Sequence, residues 1–201
     1  MFYKDCRGFI YAVATLGEEV NSVSLTDVDY RKKNIPELDI SNFVLDKKTM
    51  DNVVNEISLI RADIENLSDK EIKRILTPIL ENGEILHNEM LTFLERNGEL
   101  GNLTASEVNE ISNLTDEQLI ELSFITYNQY QYSTSSVDWG RVRSCASFAL
   151  GIQGIKTLYT NTLALGTVQT MIGALKLIGK RYLGYIGVAL MIYDFADCLY
   201  E

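Results

Sequence analysis

Glu84-Ile-Leu-His87 sets a carboxylate and an imidazole three residues apart, so on a helix both would face one way, as in half of a di-iron carboxylate site. His87 is the chain's single histidine, which leaves the other half unsupplied, and no metal site is expected. Cys6, Cys145 and Cys198 could join it only as scattered ligands, whereas structural zinc usually draws on closely spaced pairs. Asp27 and Asp29 open like a calcium loop, but Lys32 stands where that loop needs glycine. Gly151-Ile-Gln-Gly154 and Gly184-Tyr-Ile-Gly187 fall in expected helices, so neither makes the phosphate cradle that follows a strand. Ser-His-Asp chemistry lacks a nucleophile elbow. Carboxylates such as Glu18 and Glu19 are numerous, yet nothing pairs one of them with a partner acid. A noncatalytic protein without a cofactor is expected.

Charge narrows the partners. The net charge is -10, and it is unevenly spread: residues 1–137 carry 24 acidic against 12 basic side chains, while residues 138–201 carry 4 against 6. Nonspecific nucleic-acid binding needs clustered cations that displace counterions from phosphate, so no nucleic-acid partner is expected. The three cysteines cannot all pair within one chain and none belongs to a CxxC; reduced, structural thiols are the expected state, with a Cys145–Cys198 disulfide left open as the alternative that export would permit. Lys4 and Arg7 precede a short apolar run, Phe9 to Leu16, but Asp5 interrupts the positive flank, so a cleaved leader is not expected. The compartment stays open between cytoplasmic and exported.

The elements that would position any site are legible in the middle of the chain. Ser68 with Glu71, Thr104 with Glu107 and Thr115 with Gln118 have the spacing of capping boxes, and Leu67 with Ile72, Leu103 with Val108 and Leu114 with Leu119 flank them as hydrophobic staples. Their starts lie 36 and 11 residues apart, which is not one period, so a repeat array is not expected. From Asp46, the residues Met50, Val53, Val54, Ile57, Ile60, Ile64 and Leu67 recur at threes and fours, as on a surface helix that buries one stripe. Pro78 should kink or end the next helix, a further one should start near Asn82, and Gly98 should stop it. Residues 1–40 are hardest to read. The polar run at 132–139 marks a boundary between an acidic helical part, 41–132, and an apolar part, 137–201, which could also pack together as one domain.

In that last part three helices are expected, roughly 138–159, 162–179 and 181–199, holding eight of the thirteen glycines. Glycine in an exposed helix is unfavourable by up to about 1 kcal/mol, so close backbone approach is the expected return. The longest uncharged run, Thr157 to Leu175, spans 19 residues, about 28 Å as helix, but hydroxyls and amides interrupt it. Tyr182 to Tyr193 is shorter still, and Asp194 and Asp197 follow it. Burial against protein is therefore expected. Lys176, Lys180, Arg181, Tyr182 and Tyr185 cluster at the turn as candidate membrane or partner contacts, though cations at a helix C-terminus also simply complement its dipole. Asp194 and Asp197 are expected to form buried ion pairs with Arg141, Arg143, Lys156 or Lys176.

The stretch from Leu165 to Phe195 resembles the glycine-rich, weakly cationic hydrophobic segments of bacteriocin-type and other small pore-forming antibacterial proteins, and the tails of exported bacterial proteins. The resemblance covers about 60 residues, rests on composition and glycine spacing, and implies membrane permeabilisation by a C-terminal helical hairpin. The expected architecture is all-α, a bundle of six to eight helices with a Gly-rich apolar C-terminal unit. The favoured function is a noncatalytic interaction or structural module, of bacterial origin, with that hairpin buried under its own acidic helices and with an unknown protein partner or a membrane surface as the expected contact; the rival is a membrane-active antibacterial protein whose acidic helices mask the hairpin.

Overall fold

Ser68 and Thr104 each accept a hydrogen bond from the backbone N–H three residues on, and Glu71 and Glu107 accept one in return from the cap's own N–H, so the two predicted capping boxes close as expected. The third closes between Thr115 and Gln118. The computed structural model describes residues 37–133, 138–149 and 165–200. The leader-like run, Cys6, Asp27, Asp29, the linker residues 134–137, and the stretch with Gly151, Gly154, Lys156 and Asn161 lie outside them.

Seven α-helices occur among the described residues, and the fold is an all-α bundle: α1 Lys47–Ile60, α2 Asp69–Arg96, α3 Ala105–Ser112, α4 Asp116–Ser133, α5 Trp139–Ala149, α6 Val168–Gly179 and α7 Tyr185–Tyr200. Short 3-10 turns cover Ile40–Phe43, Arg61–Asn66 and Glu99–Asn102. Ile35–Glu201 makes one compact unit, in which α2 packs on α4, α3 on α6, α5 on α7, and α7 also on α1 and α2.

The first part of the predicted stripe lies on α1, with Met50, Val53 and Ile57 buried and Asp46 capping through Thr49 N–H at 3.0 Å, whereas the helix ends at Ile60 and Ile64 is buried from the 3-10 turn that follows. Pro78 does not end its helix: α2 runs through it to Arg96, which corrects that expectation and the separate start near Asn82. Interior proline is unfavourable by about 3 kcal/mol. The buried stripe nevertheless stays in register beyond it, through Ile79, Leu80, Leu86, Met90 and Leu94. At about 2 kcal/mol for each buried side chain, that packing outweighs the lost hydrogen bond and ring clash. Past the C-cap, Gly98 adopts φ 70° and turns the chain as the predicted stop.

Helix α4 is enclosed over most of its length. Every residue from Gln118 to Gln129 is buried, polar ones included. Its polar side chains therefore need internal partners. Ser123 donates to Asn82 Oδ1 at 2.7 Å, Asn82 donates to the Phe43 carbonyl at 2.9 Å, and Thr126 donates back to the Leu122 carbonyl at 2.8 Å. Gly83 makes room for this helix: a Cβ there would lie 2.2 Å from the Leu119 carbonyl oxygen.

The last two helices start later than predicted, and the expected end of the one before them, at 159, lies outside the described residues. Helix α6 starts at Val168 rather than 162, because Thr167 caps it in a box with Thr170 and the strand-like pair Leu38 N–H to Gly166 O, 2.8 Å, keeps the preceding backbone extended. Helix α7 starts at Tyr185 rather than 181, since residues 181–184 form the turn before it. Its buried face is Val188, Ala189, Met191, Ile192, Phe195, Ala196 and Leu199, with Phe195 set edge-on to Phe124 of α4 at 5.3 Å. A Cβ on Gly179 would lie 3.1 Å from the Glu110 carbonyl oxygen, a close approach as predicted, whereas Gly173 and Gly184 face open space. Close helix contact thus explains only some of the described C-terminal glycines.

Candidate functional site

Gln118 does two jobs from one position. Its Oε1 accepts the Thr115 N–H at 2.8 Å to close the cap of α4, and its Nε2 donates to the carbonyls of Gly179 at 3.1 Å and Arg181 at 2.8 Å. Those two carbonyls belong to the end of α6 and the turn beyond it, where helix carbonyls have no partner of their own. The cap of α4 therefore also fixes the tip of the α6–α7 hairpin.

Around that grip, the predicted cationic cluster meets acidic side chains from α3 and α4. Lys176 Nζ lies 2.6 Å from Glu107 Oε1, Lys180 lies 3.7 Å from Glu110, and Arg181 Nε lies 3.2 Å from Glu121 Oε2. The Lys176 ammonium, together with the Thr104 cap, holds the Glu107 carboxyl down at about 2. Tyr185 donates to Asp116 at 2.8 Å, Asp116 also pairs with Lys73 of α2, and the Lys73 ammonium stands 5.8 Å from the Tyr185 ring. Lys73 and Tyr185 in turn hold the Asp116 carboxyl below its usual range. Of the five candidate contact residues, Tyr182 alone projects from this network, with 96% of its surface exposed.

The Glu121–Arg181 pair differs from the others in burial. The Glu121 side chain is 1% exposed and that of Arg181 9%. Burial drives the Glu121 carboxyl up to about 7 against the attraction of Arg181, and pushes the guanidinium down against that of Glu121. Both carboxylate oxygens and Arg181 Nη1 lack a hydrogen-bond partner. Charge attraction without hydrogen bonds offsets little of the desolvation that such a pair incurs.

The predicted ion pairs at the other end of α7 are corrected. Asp194 pairs with Arg61, at 3.7 Å, and both are partly exposed, while Asp197 is exposed and accepts from Tyr193 O–H at 3.4 Å. Packing of α1 on α7 brings Arg61 there, and its guanidinium also lies 4.4 Å over the Tyr193 ring. Arg141 instead donates through Nη2 to the Cys198 carbonyl at 3.0 Å, the place a cation finds at a helix C-terminus. Arg143 is half-buried on α5, and Lys176 is taken by Glu107. Cys145 and Cys198 form a disulfide with Cα atoms 5.6 Å apart, which overturns the reading of reduced thiols for these two. Closing a loop of 53 residues removes about 4 kcal/mol of entropy from the unfolded chain in the chain-entropy account.

His87 is 7% exposed, and its Nε2 lies 2.7 Å from the Ile111 carbonyl, so it ties α2 to α3 as a neutral donor. Glu84, its partner in the half-motif, is exposed. No group of three or more metal-ligating side chains gathers among the described residues. The sequence reading did not single out Glu107, Glu110, Glu121, Asp116 or Gln118 as partners of the turn. The signal for Glu121 was a lone carboxylate inside the apolar run Leu119 to Ile125. The chain matches no family model, no curated protein and no solved structure.

Proposed function

We propose that the protein is a noncatalytic helical interaction or structural module whose C-terminal hairpin serves as its own core, with the cationic turn occupied by the acidic helices α3 and α4. The observation that carries this reading is the pairing of Lys176, Lys180 and Arg181 with Glu107, Glu110 and Glu121. Lys176 and Arg181, paired and mostly buried, are screened from anionic headgroups while Lys180 stays largely exposed, and the apolar face of α7 is spent on α1, α2, α4 and α5. No helix among the described residues is long and apolar enough to cross a membrane. The test is flotation and dye release with anionic vesicles and the full chain at low ionic strength. The expected result is neither co-flotation nor release, and either one would remove this reading.

The membrane-active rival keeps one specific support, the same clasp seen as a mask, with Tyr182 standing out at its tip. The full-length triple variant Glu107→Gln, Glu110→Gln, Glu121→Gln separates the two. Dye release by this variant and not by the parent would favour a masked hairpin; silence from both would favour a hairpin that is core.

A further inference from the structure

Residues 180–184, which join α6 to α7, are tied to α4 at two points three residues apart, so both ties leave one face of that helix. Gln118 Nε2 donates to the backbone carbonyls of Gly179 and Arg181, and Glu121 stands 3.2 Å from the Arg181 guanidinium. The first tie is neutral and made of hydrogen bonds. The second joins two ionisable groups that have left water, and neither Glu121 oxygen nor Arg181 Nη1 has a hydrogen-bond partner. Burial without donors favours the protonated form of a carboxyl. The other charged groups around this face are engaged elsewhere. From α3, Glu107 holds Lys176 of α6 and Glu110 faces Lys180 of the turn. From α2, Lys73 pairs with Asp116 and His87 bonds to the Ile111 carbonyl, while Tyr185 of α7 also donates to Asp116. On α5, Arg141 reaches the Cys198 carbonyl and Arg143 is half-buried. Arg181 is thus the charge whose attraction bears on Glu121.

We propose that the Glu121–Arg181 contact is a proton-operated catch: with Glu121 protonated the turn at 180–184 stays closed, and loss of that proton opens the turn to water while α2 and α4 remain packed. The proposal rests on the reading of the cationic turn as occupied by α3 and α4, and names what regulates the occupation. An ionised Glu121 regains hydration only when Arg181 and its backbone move away, and the turn is placed to move. Tyr182 is 96% exposed, Lys180 is exposed, and Gly184 faces open space, so water gains entry by displacing a few surface residues. Opening a short surface segment is less unfavourable than unfolding the helices beneath it. The two Gln118 bonds oppose the movement equally in either protonation state, which leaves the proton on Glu121 to decide it. Burial raises that carboxyl to about 7, so the catch is shut on the acid side of neutrality and released on the alkaline side. What the release presents is Lys180, Arg181 and Tyr182 together, two cations beside an aromatic ring.

Hydrogen exchange on the full chain at about pH 5.5 and about pH 8.5 tests this, each rate divided by the intrinsic rate at its own pH. Protection of the amides in 180–186 should fall about tenfold or more at the higher pH, with α2 and α4 changing by less than about twofold. Glu121→Gln, a neutral copy of the protonated acid, should keep the turn protected at both. Equal protection at the two values overturns the catch, as does a fall that persists in the variant. A fall shared by α2 and α4 also overturns it, since Glu121 would then act on the whole fold. The carbon-13 shift of the Glu121 carboxyl, followed through the same range in the parent, should have its midpoint near neutrality; a midpoint in the ordinary carboxylate range overturns the catch even where the variant does not fold. Flotation with anionic vesicles at about pH 5.5, where the catch is shut, separates the two readings. Co-flotation there sinks the occupied turn itself, whereas pH-independent protection without co-flotation sinks only the catch.

Discussion

Replacing Glu121 with glutamine should stabilise the protein at pH 8, although it removes one partner of an ion pair. The carboxyl is raised from 4.5 to about 7 by burial, even with Arg181 Nε 3.2 Å away. A raised carboxyl means that between pH 4.5 and 7 the folded chain binds a proton that the unfolded chain does not. Stability from this group is therefore fully present below pH 4.5, falls as pH rises to about 7, and stays low above it. At about 1.4 kcal/mol per tenfold change, the span corresponds to about 3 kcal/mol. Deleting one member of a buried pair commonly destabilises by about 3–5 kcal/mol, which is the competing expectation. Desolvation prevails here because the Arg181 attraction is already contained in the raised value, and because neither Glu121 oxygen gains a hydrogen bond from the pair. Glutamine copies the neutral acid in shape and leaves the Arg181 backbone carbonyl in its bond to Gln118. Urea titrations of parent and variant at pH 5 and pH 8 check it, read as a shift in midpoint at constant slope. The expected result is near-equality at pH 5 and a more stable variant, by up to about 3 kcal/mol, at pH 8. A variant less stable than the parent at pH 8, or a difference independent of pH, would refute the reasoning.

Gly83→Ala should cost about 3 kcal/mol in the same titration, since the new methyl would meet the Leu119 carbonyl at 2.2 Å and the opposing group is backbone. Pro78→Ala should raise stability by about 2 kcal/mol, restoring a helix N–H in the continuous α2 while giving back some freedom to the unfolded chain. Burial holds the His87 ring below its ordinary 6.5, so the folded chain binds that proton less readily and stability is lost as pH falls from 6.5 through the lowered value. His87→Gln, made in the Glu121→Gln background to remove the opposite slope, should flatten that acid-side loss.

Local chemistry was readable and tertiary compensation was not. The caps at Ser68, Thr104 and Thr115 and the stop at Gly98 depend on residues within one turn of each other, so spacing alone identifies them. The stripe of α1 was legible for the same reason, because one buried face imposes a helical period. Pro78 misled because its local penalty is opposed by side chains packed on another helix. The start of α4 was located correctly but its role was hidden: buried from Gln118 to Gln129, it has no polar face to reveal an orientation, and two of its polar residues, Gln118 and Ser123, find partners far along the chain. The pairing of Asp194 with Arg61 and of Cys145 with Cys198 likewise depends on which helices become neighbours. The cationic turn was found as a cluster of residue types, while its acidic partners on α3 and α4 emerged only from the packing.

A central helix enclosed from Gln118 to Gln129 also sets an order of events during synthesis. When the ribosome has made α2 and α4, these two can already pair, but the edge-on partner of Phe124 and the face that α7 lays on α4 are supplied only once Phe195 has been translated. The nascent protein therefore carries α4 without its α7 neighbour, and Glu121 without Arg181, for the whole interval in which α5 and α6 are being made. Pausing or truncation in that interval would present chaperones and proteases with a helix that the finished molecule never shows.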